Sequence, residues 1–393
     1  MTNQATAMIQ YEKLQYHIKF IQKQWLSNIN FNKIAQSVLS LQRGLTGERT
    51  LITKHYMDDA EYLSAYLAYY WPVSYVQIQH CQQTVQDAGA SLVEPGIQEL
   101  SILDFGSGPA PMSTGLLDYI AAIYPDIHKV NLFFADISMA AMEIGEKIIK
   151  HSFYPFTVNC NKLSTNTFEK LSGYTDAFDV IIFGHSFNEL AQTNTQNIVQ
   201  VFEHTQSFIT HTLKSSGAVL FIEPALLATS RRLISLRNFL IKNKTIAYTL
   251  PCPHAILCSV PEAGPSHTCH DEFIWKMPQS VSRLAQANAL NREYIKMTWF
   301  FMFREFPHIK NKKNQSDFYL VVSEPLLNKA GRIRYILCGS NGRVALSAAK
   351  TDAHAKALGF FELKRGDKII LENPEQRETG FGIVQTTKIT LLQ

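Results

Sequence analysis

Between about Leu100 and Leu250 short apolar runs alternate with helical patterns, and this alternation restricts the fold more than any other feature of the chain. The runs are Leu100-Ser-Ile-Leu-Asp104-Phe, Lys129-Val-Asn-Leu-Phe-Phe-Ala-Asp136, Asp179-Val-Ile-Ile-Phe-Gly and Gly217-Ala-Val-Leu-Phe-Ile-Glu223-Pro224. Strands spaced by helices pair in parallel, because a parallel neighbour can be reached only by a crossover. The first run ends in Gly106-Ser-Gly108-Pro-Ala110. Gly106 and Gly108 let the backbone turn sharply and approach a ligand closely. Amide donors at the start of the helix that follows can face a carboxylate. Asp136, at the end of the second run, can accept both hydroxyls of a ribose. The third run leads into a polar loop with His185, Asn188 and Glu189.

The rest of the chain divides around this core. Residues 1–95 read as helical, with Leu63, Tyr66, Leu67 and Tyr70 at three-to-four spacing and Pro72 placed to open a new helix. Residues 96–250 hold the alternating segment. Residues 251–315 hold a cysteine-rich loop and a helical stretch from about Gln279. Residues 316–393 are β-rich, with runs such as Phe318-Tyr-Leu-Val-Val and Arg334-Tyr-Ile-Leu-Cys338 punctuated by glycine, and suggest a small barrel-like or sheet module. The expected class is α/β: a Rossmann-like domain with an N-terminal helical region, a cysteine-rich metal loop and a small β-rich C-terminal module.

Cys252, Cys258 and Cys269 fall in one stretch kept out of helix and strand by Pro251, Pro253, Pro261, Gly264 and Pro265; Cys338 lies in the tail. Their C-x5-C-x10-C spacing is too loose for a standard zinc knuckle and suits a loop around a larger metal centre. Thiolates are soft ligands, which favours iron–sulfur, zinc or copper. Six cysteines in 393 residues are too sparse for a disulfide framework. His254 and His270 adjoin the cysteines and could replace one; with four thiols at hand they read as donors to sulfur or as surface residues. Cys81 and Cys160 read as small buried hydrophobes.

Met1 to Lys23 lacks the apolar core of a signal peptide. Glu12, and the absence of arginine before Arg43, also argue against a mitochondrial presequence. No apolar run is long enough to cross a bilayer; Gly217 to Thr229 is interrupted by Glu223 and Pro224. Charge is uneven. From Phe301 onward there are 15 Lys and Arg against 9 Asp and Glu, out of 37 against 33 in the whole chain, so the remainder carries 22 against 24. A basic tail on a near-neutral body fits a polyanion partner or a solvated lysine-rich surface.

The order of strands, glycine turn and acidic residue resembles a class I S-adenosylmethionine-dependent methyltransferase. Asp104, Gly106 and Gly108 match its first motif and Asp136 its ribose-binding position. The 184–190 loop lacks the Asn/Asp-Pro-Pro-Tyr/Phe pattern of amino-group methyltransferases, and no paired cysteines suit methylation of a pyrimidine carbon. Further matches are Tyr66-Leu-Ala-Tyr-Tyr-Trp-Pro72 with Tyr75, Leu103 to Pro109, His185 to Leu190, Cys252-Pro-His254, Cys258, Cys269-His270 and Cys338. Together they resemble the methyltransferase-like proteins of the mitochondrial small ribosomal subunit and their bacterial relatives, the Rsm22 or methyltransferase-like-seventeen type, over roughly residues 45 to 370. The resemblance implies a [4Fe-4S] cluster held by Cys252, Cys258, Cys269 and Cys338. It implies S-adenosylmethionine at Asp104, Gly106, Gly108 and Asp136. It also implies action on the small ribosomal subunit and its rRNA, without membrane or DNA, in a bacterial cytoplasm or a mitochondrial matrix. His185, Asn188 and Glu189 are the candidates for the methyl-acceptor pocket. A non-enzymatic assembly factor with the same fold, and a zinc-stabilised RNA-binding protein, are the alternatives. Lys310, Lys312 and Lys313, with Lys329, Arg332 and Arg334 around the Cys338 strand, are the expected phosphate contacts.

Overall fold

In the computed structural model, residues 3–48, 51, 55–193, 197–252, 256–290, 292–307, 318–378 and 380–392 are described, with backbone alone at 3–10 and 192–193. The chain opens with helices α1 (Asn3–Ile21), α2 (Phe31–Gln42), α3 (Ala60–Ala65) and α4 (Trp71–Asp87), with Pro72 in the first turn of α4 as expected. Short π-helical turns at Gln22–Leu26, Arg43–Gly47 and Tyr66–Tyr70 extend or join them.

Next come β1 (Glu99–Phe105), α5 (Pro111–Ile123), β2 (Lys129–Asp136), α6 (Met139–His151), β3 (Thr157–Ser164) and β4 (Phe178–Gly184). They are followed by α7 (Phe187–Thr193), α8 (Ile198–Thr212), β5 (Leu213–Pro224), α9 (Leu227–Lys242) and β6 (Tyr248–Leu250). The strands read as unbroken apolar runs because both faces are covered. Ile102, Val180 and Leu220 join one core with α4 and α5, while their neighbours Leu103, Ile181 and Phe221 join another with α8 and α9.

The sheet does not end near residue 250. After the cysteine loop come β7 (Asp271–Ile274), α10 (Gln279–Ala287) and β8 (Tyr294–Phe303), and the sheet order is β3-β2-β1-β4-β5-β8-β6 with β7 on β8. β8 runs antiparallel to β5, pairing Glu223 with Thr298, and to β6. Its run Tyr-Ile-Lys-Met-Thr-Trp-Phe-Phe-Met-Phe lies in the stretch expected to be helical, and a buried apolar segment of that length does not reveal its type by periodicity. The cysteine loop is therefore an insertion between strands of the sheet.

The N-terminal helices wrap this domain. Leu14, Val38, Leu67 and Trp71 share a core with Ile144 and Ile148 of α6 and with Val281 and Leu284 of α10. Buried Asp118 of α5 fastens them, with one oxygen 2.7 Å from both His17 Nε2 and the Tyr75 hydroxyl. The tail forms a second sheet from β9 (Tyr319–Val321), β10 (Leu326–Leu327), β11 (Arg332–Gly339) and β12 (Gly342–Ala349), then, after α11 (Ala353–Ala357), β13 (Lys368–Glu372), β14 (Glu375–Arg377), β15 (Gly380–Gly382) and β16 (Lys388–Leu392). Its order is β14-β15-β12-β11-β9-β13-β16, around a core of Val321, Tyr335, Leu346 and Phe360. Among the described residues no helix is long and apolar enough to cross a membrane.

Candidate functional site

Two sites meet on helix α9: a cleft at the carboxyl ends of β1, β2 and β4, and the cysteine loop. The cleft holds about 1540 Å³ of empty space, part of it open to solvent.

Gly106 and Gly108 line the cleft with φ of 74° and 50°. A Cβ on Gly106 would stand 2.3 Å from the Cβ of Ser186, so the turn and the β4 loop press directly together. Asp136 lines the cleft below the turn. Its Oδ2 accepts the Gly108 N–H and its Oδ1 the Ser138 N–H, each at 2.8 Å. Burial raises its pKa, and these amides, with that of Ile137, pull it partly back. Each carboxylate oxygen keeps room for a further donor. Asp104 is elsewhere: it lies beneath the turn, buried, accepting the Ser113 hydroxyl at 2.6 Å, and is not among the residues facing the cleft. Burial pushes its pKa up to about 7. The sequence reading took it for a ligand contact; in the structure it is a buried brace beneath the turn.

His185, Asn188 and Glu189 all line the cleft. His185 sits in the left-handed region at φ 63°, which costs of order 1–3 kcal/mol outside glycine. Its N–H donates to the Ile222 carbonyl at 2.8 Å and its Nε2 lies 2.9 Å from Gln77 Oε1. Because that oxygen accepts, the proton sits on Nε2 and Nδ1 is bare; Nδ1 is buried with no partner. Burial, and then the charge of Arg292, depress the imidazole pKa to about 4, so the ring is neutral at physiological pH. Asn188 gives its N–H to Glu223 at 3.0 Å and accepts from Arg232 at 2.8 Å, while its Nδ2 is buried without a partner. Among the described residues the cleft thus presents a bare acceptor at His185, a free donor at Asn188 and an unpartnered hydroxyl at Tyr70.

Several cleft residues have no site role in the sequence reading. Tyr56, Met57, Tyr66 and Tyr70 close it from the N-terminal region, and Arg292 enters just before β8. The Arg292 guanidinium lies 5.4 and 5.8 Å from the ring centres of Tyr69 and Tyr70. The Trp71 indole donates to the Pro109 carbonyl at 3.0 Å, tying the glycine turn to α4. The Tyr66–Pro72 string was visible as a motif, but its place over the cleft depends on the π-helical turn, which has no simple sequence signature.

In the second site, Cys252, Cys258 and Cys269 pack against the core under α8 and α9. Cys338 reaches them from β11. Burial pushes its thiol up to about 12, helped by negative charge at Cys252, Cys269 and Cys258. Cys269 is pushed up to about 11 by burial, then by Cys252, against the charge of Arg343. Cys252 is raised by burial against Arg237. All six cysteines are free thiols. Among the described residues no group of three or more His, Cys, Asp or Glu is arranged to hold a metal ion. Arg343 Nε and Thr268 Oγ1 are buried beside them without partners. The His270 ring lies 3.7 Å from Glu272, and its carbonyl accepts from Arg365 at 3.1 Å. His254, Lys310, Lys312 and Lys313 lie outside the described residues.

A family model described as mitochondrial small ribosomal subunit Rsm22 matches residues 60–355. No curated protein matches the chain. Among solved structures, it is similar to Pyrococcus horikoshii TYW2 in complex with MeSAdo, at 8% identity and TM-score 0.28 over 56% of this chain and 62% of that one. It is also similar to a class I S-adenosylmethionine-dependent methyltransferase of Listeria monocytogenes, at 11% identity and TM-score 0.34 over 80% of this chain and 92% of that one. Likenesses this distant carry no functional argument.

Proposed function

The chain belongs to the Rsm22 family of the mitochondrial small ribosomal subunit, and from that premise we propose that it is an S-adenosylmethionine-binding, methyltransferase-like protein of the small ribosomal subunit, with a structural [4Fe-4S] cluster on Cys252, Cys258, Cys269 and Cys338. The observation that carries the proposal is one cleft that joins Asp136, under the Gly106–Gly108 turn, to the unpartnered His185 Nδ1 and Asn188 Nδ2. Asp136 would take the ribose hydroxyls and the glycine turn would admit the ligand's backbone-facing edge. S-adenosylmethionine, when bound, supplies an electrophilic methyl group on a sulfonium. The chain's task is then mainly to position an acceptor in line with that methyl. Neutral His185 would accept a proton or hydrogen bond from the acceptor, and Asn188 would donate to it.

The four thiols fit a soft metal centre. Burial and neighbouring cysteine charge raise the thiols of Cys252, Cys269 and Cys338, and Arg343 Nε and Thr268 Oγ1 have donors to spare beside them. A cluster bound there supplies the positive charge that lets buried sulfurs ionise, and joins Cys338 of the tail to the loop.

The test of the function is transfer of a labelled methyl group from S-adenosylmethionine to small ribosomal particles prepared without the protein. Label should enter their RNA with wild type and not with Asp136→Ala. Particle binding without any label in RNA would remove the enzymatic part and leave an assembly factor.

A further inference from the structure

Helix α9 carries a row of polar residues in its first turns that grip both sites. Arg231 Nη1 donates to the carbonyls of Gly264 at 2.8 Å, His267 at 2.7 Å and Val260 at 3.2 Å, and Nη2 donates to Pro261 at 3.0 Å. One guanidinium thus gathers four carbonyls of the loop between Cys258 and Cys269. The next residue, Arg232, points to the other site and donates to Asn188 Oδ1 at 2.8 Å. On the preceding side, Thr298 Oγ1 lies 2.7 Å from Ser230 Oγ and 3.0 Å from the Cys269 carbonyl. A proton of Thr298 on that carbonyl leaves Ser230 to donate to Thr298. Thr229 lines the cleft itself, its hydroxyl on the Pro224 carbonyl at 2.6 Å. Further along α9, Asn238 pairs with the Cys258 backbone at both its N–H and its carbonyl, each at 2.8 Å.

We infer that Arg231 and Arg232 are positioning residues that couple the cysteine loop to the cofactor cleft through α9. The inference rests on the proposed function for what the two sites bind, but the coupling itself is a property of the chain. Neighbouring residues share the backbone of a rigid helix, so a shift of the 258–269 loop that carries the Arg231 backbone with it also moves Arg232 and the Asn188 amide. Order in the loop then fixes the polar edge of the cleft, and the relation holds in reverse, as linkage requires.

The test is backbone hydrogen exchange on the full-length protein, comparing wild type with Arg231→Met and Arg232→Met. Neither substitution removes a cysteine or a residue that faces the cleft. Arg231→Met should speed exchange in residues 258–269 and also, about fivefold, in residues 186–190 across the helix; five is the low end for coupled sites. Arg232→Met should speed 186–190 and, more weakly, 258–269. Arg231→Lys keeps the charge but not the planar fork, so it should restore only part of the protection. Exchange changes confined to the loop for Arg231→Met, or to the cleft for Arg232→Met, would overturn the coupling, because a merely local structural role predicts them. Calorimetry with S-adenosylmethionine on the same proteins separates the two levels. Wild type that shows linked exchange but binds no S-adenosylmethionine would refute the proposed function while supporting the coupling.

Discussion

Asp104 and Asp136 stand one strand apart, and burial has made them different acids. Asp136 accepts amide donors and faces the cleft; Asp104, in the core, accepts the hydroxyl and the backbone N–H of Ser113 and is pushed up to about 7 by burial. A carboxyl whose folded pKa lies above its unfolded value favours folding when protonated. That contribution is complete below about 3.8 and is lost as pH rises through about 7. Asp104→Asn keeps an acceptor for Ser113 and does not titrate. Relative to wild type, the variant should therefore gain stability in denaturant unfolding between pH 5 and pH 8. A pH-independent difference between the two proteins would show that Asp104 is already charged in the folded chain. Gly106 was singled out in the sequence for close approach to a ligand. Here its bare Cα first serves the β4 loop, since Ser186 occupies the space a side chain would need. The residue type was legible in the sequence; the partner was not, because Ser186 comes from the loop after β4, far along the chain.

At the scale of elements, the four parallel apolar strands, the polar loop after β4 and the β-rich tail could all be read from the sequence, since strands buried on both faces leave continuous runs. β8 could not, because its aromatic and methionine-rich run carries no period. Nor could the role of α9, whose arginines look like an ordinary solvated face until the loop folds onto them. Arg237 illustrates this: it is buried, with donors to the Ile256 carbonyl at 2.9 Å and Thr249 Oγ1 at 3.1 Å and its charge 5.5 Å from the Phe300 ring. The cysteine spacing is what predicts a metal centre in the loop. Protein purified without oxygen should be brown, with about four iron and four sulfide per chain. Cys258→Ser should bleach it and lower its solubility. Colourless wild type with stoichiometric zinc would keep the ligands and refute the cluster.

Across the whole molecule, the tail sheet meets the body where Cys338 approaches the loop and Arg365 reaches the His270 carbonyl, so the basic strand β11 is held against the insertion. Lys329 and Arg334 are exposed on either side of that strand's start. Phosphate contacts there would release counterions, so affinity for small ribosomal particles should fall as salt rises. Replacing both residues by alanine should lower the slope of log affinity against log salt by about 1.5, at roughly 0.7–0.9 per phosphate contact. An unchanged slope would place the RNA contact on another face. The proposed function depends on whether the cleft over Asp136 holds S-adenosylmethionine, and calorimetric titration of wild type beside Asp136→Ala measures that most directly. Wild type should bind, and the variant should bind more weakly by about 1.5–3 kcal/mol, the worth of hydrogen bonds to a charged acceptor. No heat of binding from wild type at millimolar ligand, or equal affinity in the two proteins, would contradict the account.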